Sequence, residues 1–418
     1  MTSTKLSTRT PGAVQGWTLA SANWLSVIAT SAITPVLGMI AVHFANTPNL
    51  DVKLGLVSTI PALFVAICAW PAGWLADKIG LRPVLLVAVG LYGFAGCAPM
   101  VLDNMTGIVI SRAGVGILEA AIMTVTTALV GDYFHGNDRE RWLAVQTGGA
   151  SVIATVTVVL CGMLGDAKGL PIEGWRLPFA MYGFGFILFF LCLFKIWEPT
   201  SAERSAVQAS EAAQKKSEGT TVEAGSFSMW SVVPIYVITF FAATAFYVLL
   251  IQLAFILGSR GFSVGATIGT VMAFMSVCMA LGAVIFKYLK VPVAGKLTLS
   301  FLLSGSGFAV VALSGSVMGI TIGSMITGFG SGMALPTLIT WVMSKLPASM
   351  RARGMGFWQA TFFVGQFASP QIIIILKNNF GGINGALFCY SGFMGVAAVL
   401  AIICLIKGGF SKNTPEIA

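Results

Sequence analysis

Twelve stretches of about twenty predominantly apolar residues run through this chain, at approximately 17–42, 53–76, 83–102, 106–133, 142–165, 176–197, 230–257, 264–286, 292–313, 316–343, 354–376 and 383–407. At about 1.5 Å of rise per residue, each matches the hydrocarbon thickness of a bilayer. Inside lipid a lone segment satisfies its own backbone groups only as an α-helix. The expected fold class is therefore an all-α membrane protein with twelve transmembrane helices. Composition agrees: 9% of the 418 residues are charged and 56% hydrophobic, against about 25% charged in soluble domains. That excludes disordered, collagen-like and disulfide-scaffold chains. The run from Trp17 to Val42 exceeds the core of about 7–15 residues in a signal peptide, so it is expected to be a retained first span. All seven cysteines lie in apolar tracts with no C-x-x-C pair, and read as small buried hydrophobes.

The joints between spans set the topology. Eighteen Lys and Arg fall on the side that would hold both termini, five (Lys53, Lys168, Arg176, Arg260 and Lys377) fall on the other, and Arg112 lies inside a span. By the positive-inside rule both termini are expected in the cytoplasm. The net charge of +9 is thereby explained as a topology signal, and no nucleic-acid partner is expected. Trp142, Trp197 and Trp230, near span ends, fit interfacial anchors, although Trp is also common inside spans. Residues 199–229 are charged and lack a long apolar run, which divides the chain into an N-terminal six-helix bundle (1–198), a cytoplasmic linker (199–229) and a C-terminal six-helix bundle (230–418).

The halves echo each other. Gly73 to Pro83, between spans 2 and 3, has a counterpart in Gly282 to Pro292, with the same interval of ten, and Gly114-Val115-Gly116 finds one in Gly328-Phe329-Gly330. Two similar six-span bundles suggest a pseudo-twofold axis with a cavity along it. Gly73, Leu75, Asp77, Gly80 and Arg82 form G-x-L-x-D-x-x-G-x-R, and this loop resembles the signature of the major facilitator superfamily. Arg112-x-x-x-Gly116 looks like that superfamily's fourth-span motif. The branch most similar is the twelve-span drug:proton antiporter group, through Thr34-Pro35, Gly131-Asp132-Tyr133-Phe134 and Gly365-Gln366-Phe367-x-Ser369-Pro370. The antiporter signature of span 5 is absent, since residues 142–165 contain no proline.

The resemblance implies a conformational latch of Gly73, Asp77, Lys78, Gly80, Arg82 and Asp132, joining the halves on the cytoplasmic side, with Asp132 a sensible partner for Arg82 or Lys78. The plainer alternative is that these charges merely orient short loops. Within the spans, Arg112 and Glu119 are the ionisable groups well inside the membrane, where exposure to lipid costs each about 2.5–3.5 kcal/mol. Seven residues apart, they share a helix face but are separated by about 10 Å along it, so water or solute between them is easier than a direct salt bridge. Glu119 is a candidate for binding the coupling proton and Arg112 for holding an electronegative part of the solute; a fixed structural network is the alternative for both. Asn23, Gln146, Tyr236, Tyr247, Gln359 and Gln366 are polar groups that line the path or glue helices together.

No catalytic residue is expected: His43 and His135 fall at span ends, no H-E-x-x-H or Walker A pattern occurs, and Gly305-Ser306-Gly307 is not by itself a nucleophile constellation. Met272, Met275, Met279 and Cys278 are ordinary packing material rather than a metal site. The expected function is secondary active transport of a small organic solute by alternating access, as proton-coupled efflux. The alternative is a proton-coupled uptake symporter for an organic anion or siderophore-like solute. No cofactor is expected, a proton gradient would supply the energy, and a monomer multi-pass in a bacterial inner membrane is the expected setting.

Overall fold

The computed structural model describes residues 11–134, 136–167, 171–199, 232–262, 265–289, 291–346 and 351–406. Its apolar tracts are helical, and among the described residues there is no strand. In chain order the segments are α1 (Ala13–His43), α2 (Leu50–Ile79), α3 (Leu81–Met100), α4 (Met105–Tyr133), α5 (Gly136–Gly165), α6 (Gly174–Lys195), α7 (Val233–Ser259), α8 (Gly265–Tyr288), α9 (Val293–Leu313), α10 (Val317–Lys345), α11 (Arg351–Asn379) and α12 (Gly382–Ile406). Eleven are long and apolar enough among the described residues to cross a membrane; in α5 the apolar helix is the shorter Val152–Gly165. Most of the proposed linker, and the first ten and last twelve residues, lie outside the described residues.

Local chemistry explains two departures from straight helices. The first span breaks at Trp24 and again at Thr34–Val36, where Pro35 brings no backbone donor and the chain tightens into a 3₁₀ turn. The sixth begins as a 3₁₀ stretch, Gly174–Gly183, around Pro178. Neither break shows as an interruption of hydrophobicity. By contrast α5, which lacks an internal proline, runs as one helix of 30 residues.

Within each bundle, close approach of helices depends on small residues. A Cβ at Gly116 of α4 would lie 2.4 Å from the Pro61 carbonyl oxygen of α2, and one at Gly330 of α10 would lie 2.6 Å from the Ser300 carbonyl oxygen of α9. The two glycine pairs noted in the sequence thus bring α4 and α10 against their neighbours, as small residues do where packing rather than hydrophobicity drives association. Across the halves, α2 packs on α11 and α5 on α8.

Trp142 corrects an expectation. It is 8% exposed and packs edge-on against Trp17 and beside Phe134, so it fills the N-terminal bundle instead of anchoring in an interface. Trp197 stacks on Tyr133 with ring centroids 4.8 Å apart, and Trp230 lies outside the described residues.

Two arginines gather the bundle ends opposite the termini. Arg176 donates to the carbonyls of Pro99, Met100 and Leu102 and pairs with Asp103 at 2.5 Å. Arg260 donates to the carbonyls of Ser314 and Val311 and to Asn384. The carbonyl acceptors lie at or just beyond helix C-termini, where carbonyls lack intrahelical donors and attract cations.

Gly116→Leu is expected to destabilise the protein by about 1–3 kcal/mol through overpacking against Pro61. The check is the thermal midpoint of detergent-purified protein, with exposed Ile117→Leu as the neutral comparison.

Candidate functional site

Arg112 is held by aromatic rings from another helix of its own bundle. It stands on α4, fully buried at 0% exposure. Its Nη1 donates to the Tyr182 hydroxyl at 2.5 Å, and Tyr182 in turn donates to the Ala29 carbonyl of α1 at 2.7 Å. The guanidinium also lies over the Tyr182 ring, 4.5 Å from its centroid, and 5.6 Å from that of Phe179. Tyr92 completes the group, its ring 5.5 Å from that of Tyr182 and its hydroxyl on the Leu25 carbonyl. Cation–π contact and one strong hydrogen bond offset part of the burial cost. They leave two donors, Nε and Nη2, buried and without a partner.

Glu119 lies two turns along the same helix and is 5% exposed. No ion pair joins it to Arg112, and among the described residues its carboxylate has no hydrogen-bond partner. It sits within Coulombic range of Arg112, Tyr92 and Tyr182 in its own bundle and of Tyr247 in the other. This midspan carboxyl thus lies near groups of both halves and, among the described residues, is fixed to none by a hydrogen bond.

The softer candidates separate into groups. Asn23 donates to the Thr126 hydroxyl of α4 at 3.1 Å. Gln146 is buried with Nε2 unpartnered, while its backbone carbonyl accepts from the Trp24 indole. Tyr236 donates to the Gly354 carbonyl. Tyr247 packs against Phe246 and Phe362, and Phe362 stacks on Trp358. Gln366 is buried with Oε1 unpartnered, whereas Gln359, two turns before it on α11, is exposed.

On the face that carries the joint between α2 and α3, Gly80 adopts φ +101°, a conformation that favours glycine. Glu198, just beyond α6, accepts from the Leu81 and Arg82 amides at 3.0 and 2.7 Å, so a carboxylate caps the start of α3 where free N–H groups and the helix dipole converge. The Arg82 guanidinium donates to the Leu193 carbonyl at 2.8 Å. Gly73 packs near Thr124 of α4. Asp77 and Lys78 are exposed, Lys78 lying over the Trp74 ring, and Asp132 stands half-buried in the last turn of α4.

The model of the Major Facilitator Superfamily matches residues 19–370. The chain belongs to the major facilitator superfamily. Among solved structures, it superposes on a bacterial homologue of the human lysosomal transporter Spinster, in an inward-facing and occupied conformation, with a TM-score of 0.78 at 16% identity, covering 96% of this chain and 98% of that one. The inward-open xylose transporter XylE from E. coli gives 0.75 at 14% identity, over 96% and 97% of the two chains. A POT family transporter in complex with a thioalcohol conjugated peptide gives 0.74 at 13% identity, over 94% and 96%. This major facilitator is thus a multi-pass membrane transporter and not an enzyme.

Three groups of the facilitator escape sequence reading. Tyr182 and Glu198 act on residues 70 and 117 or 116 positions away. The one local signal is Glu198 in Trp197-Glu198-Pro199 at a span end, where a polar residue between an aromatic and a helix breaker suggests a cap. The third group lies at the opposite face: Glu173 accepts from the Trp175 indole and from Arg176, and meets His43 Nδ1 at 3.1 Å. Slight burial pushes the Glu173 carboxyl up, but the hydrogen bond from Arg176, the nearby His43 and the Trp175 indole outweigh it and hold the group below the ordinary carboxylate value.

Tyr182→Phe strips Arg112 of its hydroxyl partner and Ala29 of a donor, so it is expected to cost about 1–3 kcal/mol, read as a lower thermal midpoint than that of Tyr92→Phe. At Glu173 the folded state binds fewer protons than the unfolded one. Its contribution to stability is therefore complete above the unfolded carboxylate pKa and disappears as pH falls through the lowered folded value. Glu173→Gln is expected to flatten that acid-side decline in thermal midpoint, and an unaltered profile would remove Glu173 as its source.

Proposed function

We propose that this facilitator is a secondary active carrier that moves a small organic solute by alternating access, with a proton bound at Glu119 driving export. The observation that carries the reading is the state of that carboxyl: midspan, 5% exposed, without a hydrogen-bond partner among the described residues, and within Coulombic range of groups on both bundles. A structural carboxylate in hydrocarbon would be expected to accept several fixed donors. A coupling group has to exchange partners between states instead. In this reading the bundles rock about the midplane, Asn23, Gln146, Tyr236, Tyr247, Gln359 and Gln366 supply polar contacts along the path, and Gly73, Asp77, Lys78, Gly80, Arg82 and Asp132 form the latch that closes the face bearing the termini. Those termini are cytoplasmic, the proton gradient is that of a bacterial inner membrane, and one chain suffices.

A second reading, proton-coupled uptake of an organic anion, draws support from Arg112, whose Nε and Nη2 are buried donors in want of an acceptor. The sign of flux separates the two. In sealed liposomes with an imposed pH gradient, export coupling predicts solute movement against proton flow and uptake coupling predicts movement with it.

Glu119→Gln is expected to abolish accumulation driven by the pH gradient while preserving exchange of labelled solute at equal pH. Undiminished gradient-driven flux in that variant would take Glu119 out of the mechanism.

A further inference from the structure

The two bundles meet along two seams, and both are pinned at the rim opposite the termini. At the α2–α11 seam, Lys377 in the last turn of α11 pairs with Asp51 in the first turn of α2 at 3.3 Å. Both side chains are about half exposed or more, at 45% and 63%, and such a pair is screened and worth little. The α5–α8 seam is built differently. Asp166, which follows the last residue of α5, accepts from the backbone amide of Ala266 at 2.5 Å. Ala266 is the second residue of α8, where amides lack intrahelical acceptors and the helix dipole favours a negative charge. Asp166 and Ala266 are 100 residues apart and belong to different bundles. One turn deeper, the backbones touch: a Cβ at Gly269 would stand 3.1 Å from the Val158 carbonyl oxygen. Gly38 of α1 approaches the Ala254 carbonyl of α7 on the same side of the molecule. At the face bearing the termini, by contrast, Asp77 is exposed.

We propose that Asp166 is the principal latch of the rim opposite the termini: its carboxylate, seated on the first turn of α8, holds the two bundles together there and must leave Ala266 before the central path opens on that side. The contact is a charge-assisted hydrogen bond across a seam that alternating access requires to part. It is stronger than the Asp51–Lys377 pair because one partner is a fixed backbone amide that costs no side-chain ordering. The inference rests on the alternating-access reading, but its readout is conformational and independent of any solute.

The test uses the full chain, with its native cysteines replaced and a reporter cysteine at Ala254, a position 2% exposed beneath the closed rim. The rate of labelling by a bulky maleimide is measured in detergent and in nanodiscs. Asp166→Ala is expected to speed labelling about tenfold, the loss appropriate to a hydrogen bond made by a charged group. Ala266→Pro deletes that bond from the other side, at a helix position that tolerates proline, and is expected to speed labelling in the same direction. The double variant should label no faster than Asp166→Ala alone, while Asp51→Asn should change the rate less than twofold. If Asp166→Ala fails to fold, Ala266→Pro carries the test. Wild-type labelling in folded Asp166→Ala and Ala266→Pro overturns the proposal, as does full additivity in the double variant. If labelling responds as expected yet liposome flux shows no counterflow, the carrier reading falls and the latch stands. Counterflow with unresponsive labelling overturns the latch and leaves the carrier reading in place.

Discussion

A charge carried halfway through a bilayer has to be matched by protein or by water, because hydrocarbon offers nothing in exchange for the lost hydration shell. This chain places two ionisable groups on α4 and treats them in opposite ways. Arg112 is enclosed at 0% exposure, with Tyr182 serving at once as acceptor and as aromatic face. Because Tyr182 also donates to the Ala29 carbonyl, one guanidinium ties α4 and α6 to the middle of the broken first span. Glu119 is left without a hydrogen-bond partner among the described residues. The fixed guanidinium and the carboxyl without a hydrogen-bond partner stand two turns apart on one helix.

The same economy governs the contacts between helices. In lipid there is no hydrophobic gain from pressing helices together, so close packing and satisfied polar groups decide the arrangement. Glycines set the approach inside each bundle, at Gly116 against Pro61 and at Gly330 against Ser300. Helix ends are then gathered by single residues: Glu198 at the start of α3, Arg176 and Arg260 at helix ends on the other face. Each bundle is therefore braced internally, while the seams between bundles also carry charged contacts. That division suits bodies that move relative to each other.

Much of this was legible in the sequence because it depends on local or periodic properties. Span number follows from hydropathy, the repeat from spacing, and the turn at Gly80 from a loop motif whose glycine needs positive φ. That Arg112 and Glu119 lie buried within α4 follows from their place in an apolar tract. What escaped depends on partners far away in the chain. No periodicity announces that Tyr182 meets Arg112, or that Glu198 caps α3. Trp142 read as an interfacial anchor because its position near a span end says nothing of Gly16 and Trp17, against which it packs. The breaks in α1 escaped for another reason: a 3₁₀ turn at Thr34–Val36 leaves the apolar run uninterrupted.

If two braced bundles rock so that opposite faces open in turn, their two rims have to move reciprocally. Paired spin labels read that motion without intermediaries, one pair at Asp51 and Lys377 on one rim and another at Ile79 and Phe357 on the other, with distance distributions recorded across pH in nanodiscs. Rocking predicts that the first distance lengthens in the population in which the second shortens. Distances that stay constant under every condition, or that lengthen together, would contradict it.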